Sequence, residues 1–436
     1  MEEVQALTEQ HTSLKSNRAL GGIYYPIEGE LHDLHGRVWS LYSATNALYP
    51  GIFPSVRKFE AEVVSMTVRL LGGDANVCGL LTSGGTESVL LAIKTLRDYA
   101  EHHKGIPFGE GEVIAAESAH GCMDKACHYF GLKLIKVPVR SSDRRLDPEE
   151  VRRHLSSNTV LVYASAPTFP HGVIDPIEEI AAVTREAGVP LHVDNCLGAI
   201  MCSMLKRAGI PIRPFDFDVD GVTTMSVDLH KFGQCAKGAS VVAFSNPEIR
   251  RFAFHTVADW SGGLYVTHTM QGSRSGANIA TAWATLMYKG LDGYQEEALL
   301  IHRLARRLVE EIPRIRGLKL LTDPDICMVP FTSDEFDIYA FSTELKRQRG
   351  WEIPTLQNPP CVNFCVTERF EPDIDTFLQD LADIADYMRA HPEAKASGQA
   401  GAYSSAANLP EEAVDGTLRK YTEIILTVLP KQLGGQ

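Results

Sequence analysis

Lys231 has the sequence surroundings of a lysine that reacts with a carbonyl group. Together with His230 it follows the apolar run Val222–Val227, typical of a buried strand, and it precedes Gly233 and Gly238. A lysine at the end of a buried strand is partly desolvated, which disfavours the ammonium form. We therefore expect a lowered pKa and a Schiff-base role for Lys231. Taken alone, the pair also fits an ordinary solvated lysine in a loop.

A second stretch could bind a phosphate group. Thr82–Ser88 contains Gly84, Gly85 and Thr86 and directly precedes the amphipathic pattern Val89–Leu96, which predicts a helix. Glycines let a ligand approach the backbone, and the free amides of a helix start hold anions without a basic side chain. The same stretch also fits a plain helix N-cap turn, and both interpretations stay open here.

An acid and a histidine follow two further predicted strands. Asp194 ends the apolar run 190–194, where a buried carboxylate needs a partner such as a protonated ring nitrogen of a cofactor. The alternative is an N-cap for a helix that starts at Asn195. His120 comes shortly after the strand predicted to end near Glu117, and it either faces a ligand or is satisfied by its neighbours.

These elements together match the needs of one cofactor. Pyridoxal 5'-phosphate (PLP) requires a phosphate site, a carboxylate for its ring nitrogen and a lysine for its aldehyde. The chain supplies them in the order Gly85–Thr86, Asp194 and Lys231. The sequence therefore predicts a PLP site and no metal site.

The elements that must position these residues alternate along the chain. Between about 77 and 245, short apolar runs at 112–116, 132–137, 159–163 and 190–194 read as strands, and helices are predicted to follow Asp147 and to begin at Ile177. Such alternation predicts an α/β fold with a mostly parallel sheet covered on both faces. Ligands of such sheets bind at the carboxyl ends of the strands.

The pattern changes after Leu291. Amphipathic helices are predicted at Tyr294–Ile312 and Ile374–Arg389, whereas Lys395–Asn408, rich in Ala, Ser and Gly, is predicted to be a loop. We expect an N-terminal arm, a large PLP-binding domain and a smaller C-terminal α+β domain, at 1–55, 56–292 and 293–436.

The composition narrows the classes of partner. The chain has 436 residues and a formal net charge of -13, which argues against nucleic acid as a ligand. Its acidic start predicts no secretory signal, and no apolar stretch has the length of a membrane span. The nine cysteines are scattered without a Cys-x-x-Cys motif, so we expect free thiols and a cytoplasmic location.

Several motifs in a fixed order carry a resemblance to a known family. The chain resembles the sphingosine-1-phosphate lyases, PLP enzymes of the aspartate-aminotransferase-like fold (fold type I) that are close to the group II amino-acid decarboxylases. The similarity runs from about Gly22 to Tyr403. The matching stretches are 53–62, 77–88, 169–176, 192–198, 230–238, 259–263 and 272–274.

The resemblance implies roles for individual residues. Lys231 would hold PLP, Asp194 would pair with its ring nitrogen, and His120 would stack on its ring. The other residues implied near the cofactor are Gly85, Thr86, Thr168, His230 and, from the neighbouring subunit of a homodimer with shared active sites, Ser273. Those implied for a small amine substrate are Tyr24, Asn46, Tyr49, Tyr403 and Lys237, which would bind a substrate phosphate.

The implied reaction is the retro-aldol cleavage of a phosphorylated long-chain base to a fatty aldehyde and phosphoethanolamine. Lys231, Lys237 and a tyrosine are alternatives for the general base.

The sequence departs from the family on the substrate side. Tyr49 stands where the family has a histidine, Asn195 stands where it has an alanine, and Asn358 stands where an aromatic residue is expected. Two other functions therefore stay open: an amino-acid decarboxylase or aldolase on the same scaffold, and a family member without catalytic activity. The presence of Lys231 and Asp194 argues against a family member without catalytic activity.

Overall fold

A seven-stranded sheet forms the centre of the protein. The structure is a computed structural model that describes residues 18–20, 24, 29–406 and 409–427. The strands of this sheet are β1 (Cys78–Thr82), β2 (Glu112–Ala116), β3 (Lys133–Val137), β4 (Thr159–Ser165), β5 (Leu191–Asp194), β6 (Val222–Asp228) and β7 (Ser240–Phe244).

The strand order is β1-β7-β6-β5-β4-β2-β3. The pairs from β6 to β3 are parallel, whereas β7 runs antiparallel to both β1 and β6. The predicted α/β architecture with a mostly parallel sheet is therefore confirmed. Because β4, β5 and β6 lie side by side and run the same way, their carboxyl ends meet at one edge, where Asp194 and Asp228 lie.

Both faces of the sheet are buried. Ile114 and Val162 belong to one apolar cluster, while Val113 and Leu161 belong to a second cluster on the opposite face. The helices before and between these strands are Glu30–Tyr42, Pro54–Leu70, Gly85–Lys104, Cys122–Phe130, Pro148–His154, Ile177–Glu186 and Ala199–Arg207. Strands buried on both faces need continuous apolar runs, which explains why the sequence pattern located them.

A second, smaller sheet lies later in the chain. A hairpin of β8 (His255–Trp260) and β9 (Gly263–Thr267) comes first, followed by the long helix Gly276–Glu311. An antiparallel sheet then forms from β10 (Lys319–Leu320), β11 (Met328–Thr332), β12 (Thr355–Leu356) and β13 (Cys361–Cys365) in the order β10-β11-β13-β12. The remaining helices are Pro247–Arg250, Ile338–Arg349, Ile374–Ala390, Gly398–Ala406 and Glu411–Leu426, and short 3-10 turns occupy Arg251–Ala253, Ile312–Arg314 and Glu368–Asp373.

Two of the predicted elements differ from the structure. The helix predicted to begin at Tyr294 is the second part of Gly276–Glu311. A first part, which was not predicted, begins at Gly276, where the Ser275 side chain caps it, and non-helical backbone at Gly290 (φ 59°, ψ 176°) separates the two. The segment Lys395–Asn408 was wrongly predicted to be a loop, because Gly398–Ala406 is helical and its alanines favour a helix. Residues 407–408 lie outside the described part.

The domain limits near 55 and 293 remain predictions. The two sheets fall on either side of residue 293, and the kink at Gly290 precedes it by only a few residues. No helix in the described part of the chain is both long and apolar enough to cross a bilayer.

Candidate active site

Lys231 lies just beyond the end of β6. That strand ends at Asp228, whose Oδ2 is 3.0 Å from the Nζ of Lys231. The Nε2 of His230 lies 3.5 Å from the same oxygen, and the Nδ1 of His230 accepts a hydrogen bond from the amide of Ala239 at 3.3 Å. Burial lowers the pKa of His230, so this imidazole is neutral near neutral pH. The turn after β6 therefore holds the lysine against a carboxylate.

The pKa of Lys231 moves in the direction opposite to the one expected from the sequence. Burial disfavours its ammonium form, but the carboxylate of Asp228, with a further contribution from Asp194, raises the pKa above its ordinary value. The expectation of a lowered pKa was wrong because it took no account of Asp228. A close carboxylate outweighs desolvation at this position.

Asp194 is fixed by three hydrogen-bond donors. Its Oδ1 accepts from the hydroxyl of Ser226 and from the amide of Cys196, both at 3.0 Å. Its Oδ2 accepts a short hydrogen bond from the hydroxyl of Tyr163. Burial opposes the charge, yet these donors and Lys231 lower the pKa of Asp194, so it is ionised at neutral pH.

The predicted phosphate site forms the start of a helix. The chain leaves β1 at Thr82 and turns, and the helix begins at Gly85 after Gly84, an N-cap residue without a side chain to cap the helix. The carboxylate of Glu87 accepts from the amide of Ser83 at 2.7 Å and shapes this turn. The amides at this helix start are therefore left for an anion rather than for a capping side chain.

Gly85 is required by close packing. A Cβ at this position would lie 2.8 Å from both Oδ2 of Asp228 and Sγ of Cys196. Any larger residue would push into the space between the helix start and the lysine. The glycine thus brings the phosphate site next to Lys231 and Asp228.

One buried polar atom beside Lys231, Oδ1 of Asp228, lacks a hydrogen-bond partner within the described chain. Buried polar atoms are nearly always paired in folded proteins, so this oxygen fits a site that receives a polar ligand. Among the predicted residues, Oγ1 of Thr168 and both side-chain polar atoms of Asn195 are also buried and unpaired in the described part.

The predicted substrate residues Tyr24 and Lys237 lie next to each other. The Nζ of Lys237 is 4.9 Å from the ring centroid of Tyr24 and 3.3 Å from the carbonyl oxygen of His230. Loss of solvation and the charge of Lys231 lower the pKa of Lys237. Burial raises the pKa of Tyr24, so its phenol is a donor and not a base near neutral pH.

Asn46 and Ser273 form a second group. The Nδ2 of Asn46 donates to Oγ of Ser273 at 2.9 Å, and its Oδ1 accepts from the amide of Arg274 at 3.1 Å. Glu87 connects this loop to the phosphate site, because its Oε1 accepts from the amide of Met270 at 3.0 Å. Tyr49, three residues beyond Asn46, is 52% exposed.

The remaining predicted residues stand apart from these contacts. His120 is exposed, and its Nδ1 accepts from the amide of Cys122 at 3.2 Å. Tyr403 lies in the helix Gly398–Ala406, with its ring centroid 6.3 Å from that of Tyr339. Stacking of His120 on a cofactor and closure of Tyr403 over the site both stay predictions.

Three residues of the site were missed in the sequence. Asp228 directly follows the apolar run of β6, the same signal that identified Asp194, but that run was taken to end at Val227. Tyr163 looks like a core residue within an apolar strand. Glu87 gave no sequence signal beyond its place in the first turn of a helix.

The fold and the site together define the class of protein. The pyridoxal-dependent decarboxylase conserved domain matches residues 23–333, well over half of the chain. Glutamate decarboxylase of Lactobacillus brevis shares the fold, with a TM-score of 0.76 at 19% identity over 89% of this chain and 92% of that one. The chain is a PLP-dependent enzyme of fold type I.

Two relatives show the family. Sphingosine-1-phosphate lyase of Arabidopsis thaliana is 41% identical over 390 residues, which cover 88% of this chain and 71% of that protein. The structure of sphingosine-1-phosphate lyase from Burkholderia pseudomallei matches with a TM-score of 0.85 and 36% identity, covering 90% of this chain and 91% of that one. The chain belongs to the sphingosine-1-phosphate lyase family and is a PLP-dependent lyase.

The residues present fit PLP. Lys231 would bind its aldehyde, Asp194 its ring nitrogen, and the helix start at Gly85 and Thr86 its phosphate. The unpaired Oδ1 of Asp228 next to Lys231 and the helix start without a capping side chain are the observations that fit a polar ligand here.

Proposed function

We propose that this chain cleaves a phosphorylated long-chain base, such as sphingosine 1-phosphate, to a fatty aldehyde and phosphoethanolamine. The observation that carries the substrate assignment is the position of Lys237 beside Tyr24 and close to Lys231, the residue proposed to bind the cofactor. A cation and a phenol donor form a site suited to a phosphate or another anionic group. The relatives that match most of the chain bear the name of this activity.

Bound PLP supplies a ring that accepts the electrons of the broken carbon–carbon bond. Asp194, ionised and held by Ser226 and Cys196, keeps a proton on the ring nitrogen. Lys231 would supply the amine that holds the cofactor's aldehyde until a substrate amine takes its place. The chain thus fixes both ends of the ring before any bond breaks.

Without a ligand, loss of solvation and the charge of Lys231 lower the pKa of Lys237, and the negative charge of a bound phosphate would favour its ammonium form. In this role Lys237 is a cation and not the base that takes the proton of the substrate's hydroxyl. In this proposal Tyr24 donates a hydrogen bond to the substrate phosphate and stays protonated.

A product assay tests the proposal. Purified holoenzyme is given sphingosine 1-phosphate, sphingosine and a panel of amino acids, and aldehyde and carbon dioxide are measured separately. We expect aldehyde from the phosphorylated base and a much lower kcat/KM for sphingosine. Carbon dioxide from an amino acid without any aldehyde would instead establish a decarboxylase.

A matched pair of variants tests the role of Lys237. We expect Lys237→Met to lower kcat/KM for the phosphorylated base by about a hundredfold, since it loses a charge-assisted contact of roughly 3 kcal/mol. Lys133→Met, which removes an exposed lysine on β3, should leave kcat/KM unchanged. Equal loss for phosphorylated and unphosphorylated substrates would exclude Lys237 as the phosphate-binding residue.

We further propose a homodimer in which each site uses both chains. Large apolar side chains are exposed close to Asn46 and on the hairpin, among them Trp39, Ile52 and Leu264. Exposed apolar clusters of this kind are typical of protein interfaces. If Ser273 serves the partner's site, mixing inactive Lys231→Ala chains with inactive Ser273→Tyr chains should restore activity, whereas sites built from one chain would stay inactive.

The cytosol is the proposed compartment. All nine cysteines are free thiols, as expected in a reducing environment. Fractionation of cells that express the protein tests this location.

A further inference from the structure

Tyr163 is a buried phenol in an otherwise apolar part of the sheet. It lies in the middle of β4 between Val162 and Ala164, and its side chain is fully buried. A buried hydroxyl destabilises the fold unless it finds a hydrogen-bond partner. Here the partner is Oδ2 of Asp194. The phenol thus reaches the carboxylate that faces the ring nitrogen of the cofactor.

The sheet register produces this contact. Tyr163 of β4 pairs with His192 of β5, and Asp194 lies two residues further on the same face. The ring of Tyr163 stacks on the imidazole of His192, with centroids 5.3 Å apart and planes at 24°. The direction of the hydroxyl is therefore set by two neighbouring strands.

His192 is itself held at both ring nitrogens. Its Nδ1 lies 2.8 Å from Oγ1 of Thr224, and its Nε2 lies 3.3 Å from Oγ of Ser226. Burial lowers the pKa of His192 to about 4, so the ring is neutral at neutral pH. The stacking platform under Tyr163 is rigid and uncharged.

The carboxylate of Asp194 has more acceptor sites than the phenol of Tyr163 uses. An ionised carboxylate has about four lone-pair sites, two on each oxygen. In Asp194 the amide of Cys196 and the hydroxyl of Ser226 occupy Oδ1, and Tyr163 occupies one site of Oδ2. The Cys196 thiol also contacts this carboxylate. Tyr163 is a donor to Oδ2, the oxygen that accepts from neither Ser226 nor the Cys196 amide, so its hydroxyl orients the side of the carboxylate that would accept the ring N–H of PLP.

We propose that Tyr163 is a positioning residue that fixes Asp194 toward the cofactor's ring nitrogen and keeps its carboxylate ionised. The phenol itself is always protonated, because burial and the negative charge of Asp194 raise its pKa well above the ordinary value. It donates to the carboxylate and takes no part in proton transfer. This proposal needs PLP binding only and does not depend on the identity of the substrate.

The test uses holoenzyme with Tyr163→Phe, which keeps the ring and removes the hydroxyl. We expect about tenfold weaker PLP binding, as for the loss of one hydrogen bond to a charged group. We also expect the nitrogen NMR resonance of PLP, labelled with ¹⁵N in its ring, to move toward the unprotonated position. Unchanged affinity together with an unchanged resonance would overturn the proposal.

A matched control is available elsewhere. The hydroxyl of Tyr288 also donates to a carboxylate, that of Glu30, at 2.8 Å on the surface. Tyr288→Phe should leave both the PLP affinity and the ring-nitrogen resonance unchanged. If Tyr288→Phe lowered the PLP affinity as much as Tyr163→Phe does, removal of a tyrosine hydroxyl would act through protein stability in both cases, and the proposal would fail.

A second variant keeps the test valid if the phenylalanine protein does not fold. Incorporation of 3-fluorotyrosine at position 163 makes the phenol a stronger donor with almost no change in size. We expect the ring-nitrogen resonance to move in the opposite direction, further toward the protonated position. A resonance that does not respond to the fluorine would contradict the assigned role.

Discussion

The Nζ of Lys231 lies 3.0 Å from Oδ2 of Asp228, three residues earlier in the same turn. Because of this carboxylate, the pKa of Lys231 is raised despite burial, so the amine is protonated near neutral pH until a ligand enters. Only a neutral amine attacks an aldehyde. In the proposed role of Lys231, capture of PLP must therefore include loss of a proton that Asp228 helps to retain.

Replacement of Asp228 should make this capture faster. In Asp228→Asn the pKa of Lys231 falls, and we expect the rate of PLP attachment at neutral pH to rise by about tenfold. Stopped-flow absorbance of apoenzyme mixed with PLP, repeated across a range of pH, measures the rate and its midpoint. The midpoint should move to lower pH. Asp98→Asn, which breaks the 2.9 Å pair with Lys94, is the control and should not move it.

Gly85 offers a test of the phosphate site. In Gly85→Ala the new methyl group would lie 2.8 Å from Asp228 and from Cys196. Overpacking of this kind costs about 1–3 kcal/mol, so we expect a marked loss of PLP affinity, measured by titration of apoenzyme. Gly293→Ala, at a helical position with open space around its Cβ, should bind PLP normally. Normal affinity in Gly85→Ala would place the cofactor's phosphate elsewhere.

The strands were predictable because their physical requirement is visible in the sequence. A strand buried on both faces needs an uninterrupted apolar run, and β2 occupies the predicted positions 112–116. Polar residues that end such runs were found in the same way, as Asp194 shows. The antiparallel direction of β7 left no such trace, because an apolar run has the same composition in either direction.

The contacts that complete the site were beyond the sequence pattern. Tyr163 and Asp194 are far apart in the chain, and a tyrosine in a strand is normally read as a core residue. Asn46 and Ser273 meet across more than two hundred residues. Such pairs are set by strand order and register, which local periodicity does not report.

An ion pair joins the region of the large sheet to that of the small sheet. Arg145 lies 2.7 Å from Oδ2 of Asp325, and these side chains are only 8% and 18% exposed. The same oxygen accepts from the amide of Ile174 at 2.6 Å. Asp325→Ala removes this ion pair and the acceptor of the Ile174 amide, while Arg145 keeps Asp143 at 3.3 Å, so we expect the free energy of unfolding to fall by about 2 kcal/mol.

Urea denaturation of the holoenzyme measures this loss. The control is Asp323→Ala, since Asp323 is 73% exposed in its 2.7 Å pair with Arg306. A surface pair contributes about 0.5 kcal/mol or less, so the control should unfold almost like the unchanged protein. If the two substitutions lowered the free energy of unfolding equally, burial would not make the Asp325 pair more stabilising than a surface pair.

Two buried carboxyl groups, those of Glu297 and Glu368, should make the stability of the protein depend on pH. Gln234 donates to Glu297 at 2.6 Å and to Glu368 at 3.1 Å, and Lys289 donates to Glu297 at 2.6 Å. Burial, with the negative charge of Glu368, raises the pKa of Glu297 to about 8. In the unfolded chain a glutamate has a pKa of about 4.3.

Between these two values the folded protein binds more protons than the unfolded one, so stability falls as the pH rises from about 4 toward 8. The charged groups facing Glu297 are Glu368 and Lys289. Glu297→Gln removes the titrating group, and we expect a flatter profile of melting temperature against pH across this range. Glu296→Gln, at the exposed neighbouring position, should keep the original profile.

The carboxyl pair is also connected to Lys231. The backbone N–H of Gln234 donates to the carbonyl oxygen of Lys231 at 2.9 Å, so we expect the loss of stability at alkaline pH to affect the proposed cofactor site. PLP release should then rise with pH in the unchanged protein and rise less in Glu297→Gln. Identical release in both proteins would show that the carboxyl pair does not influence the turn that carries Lys231.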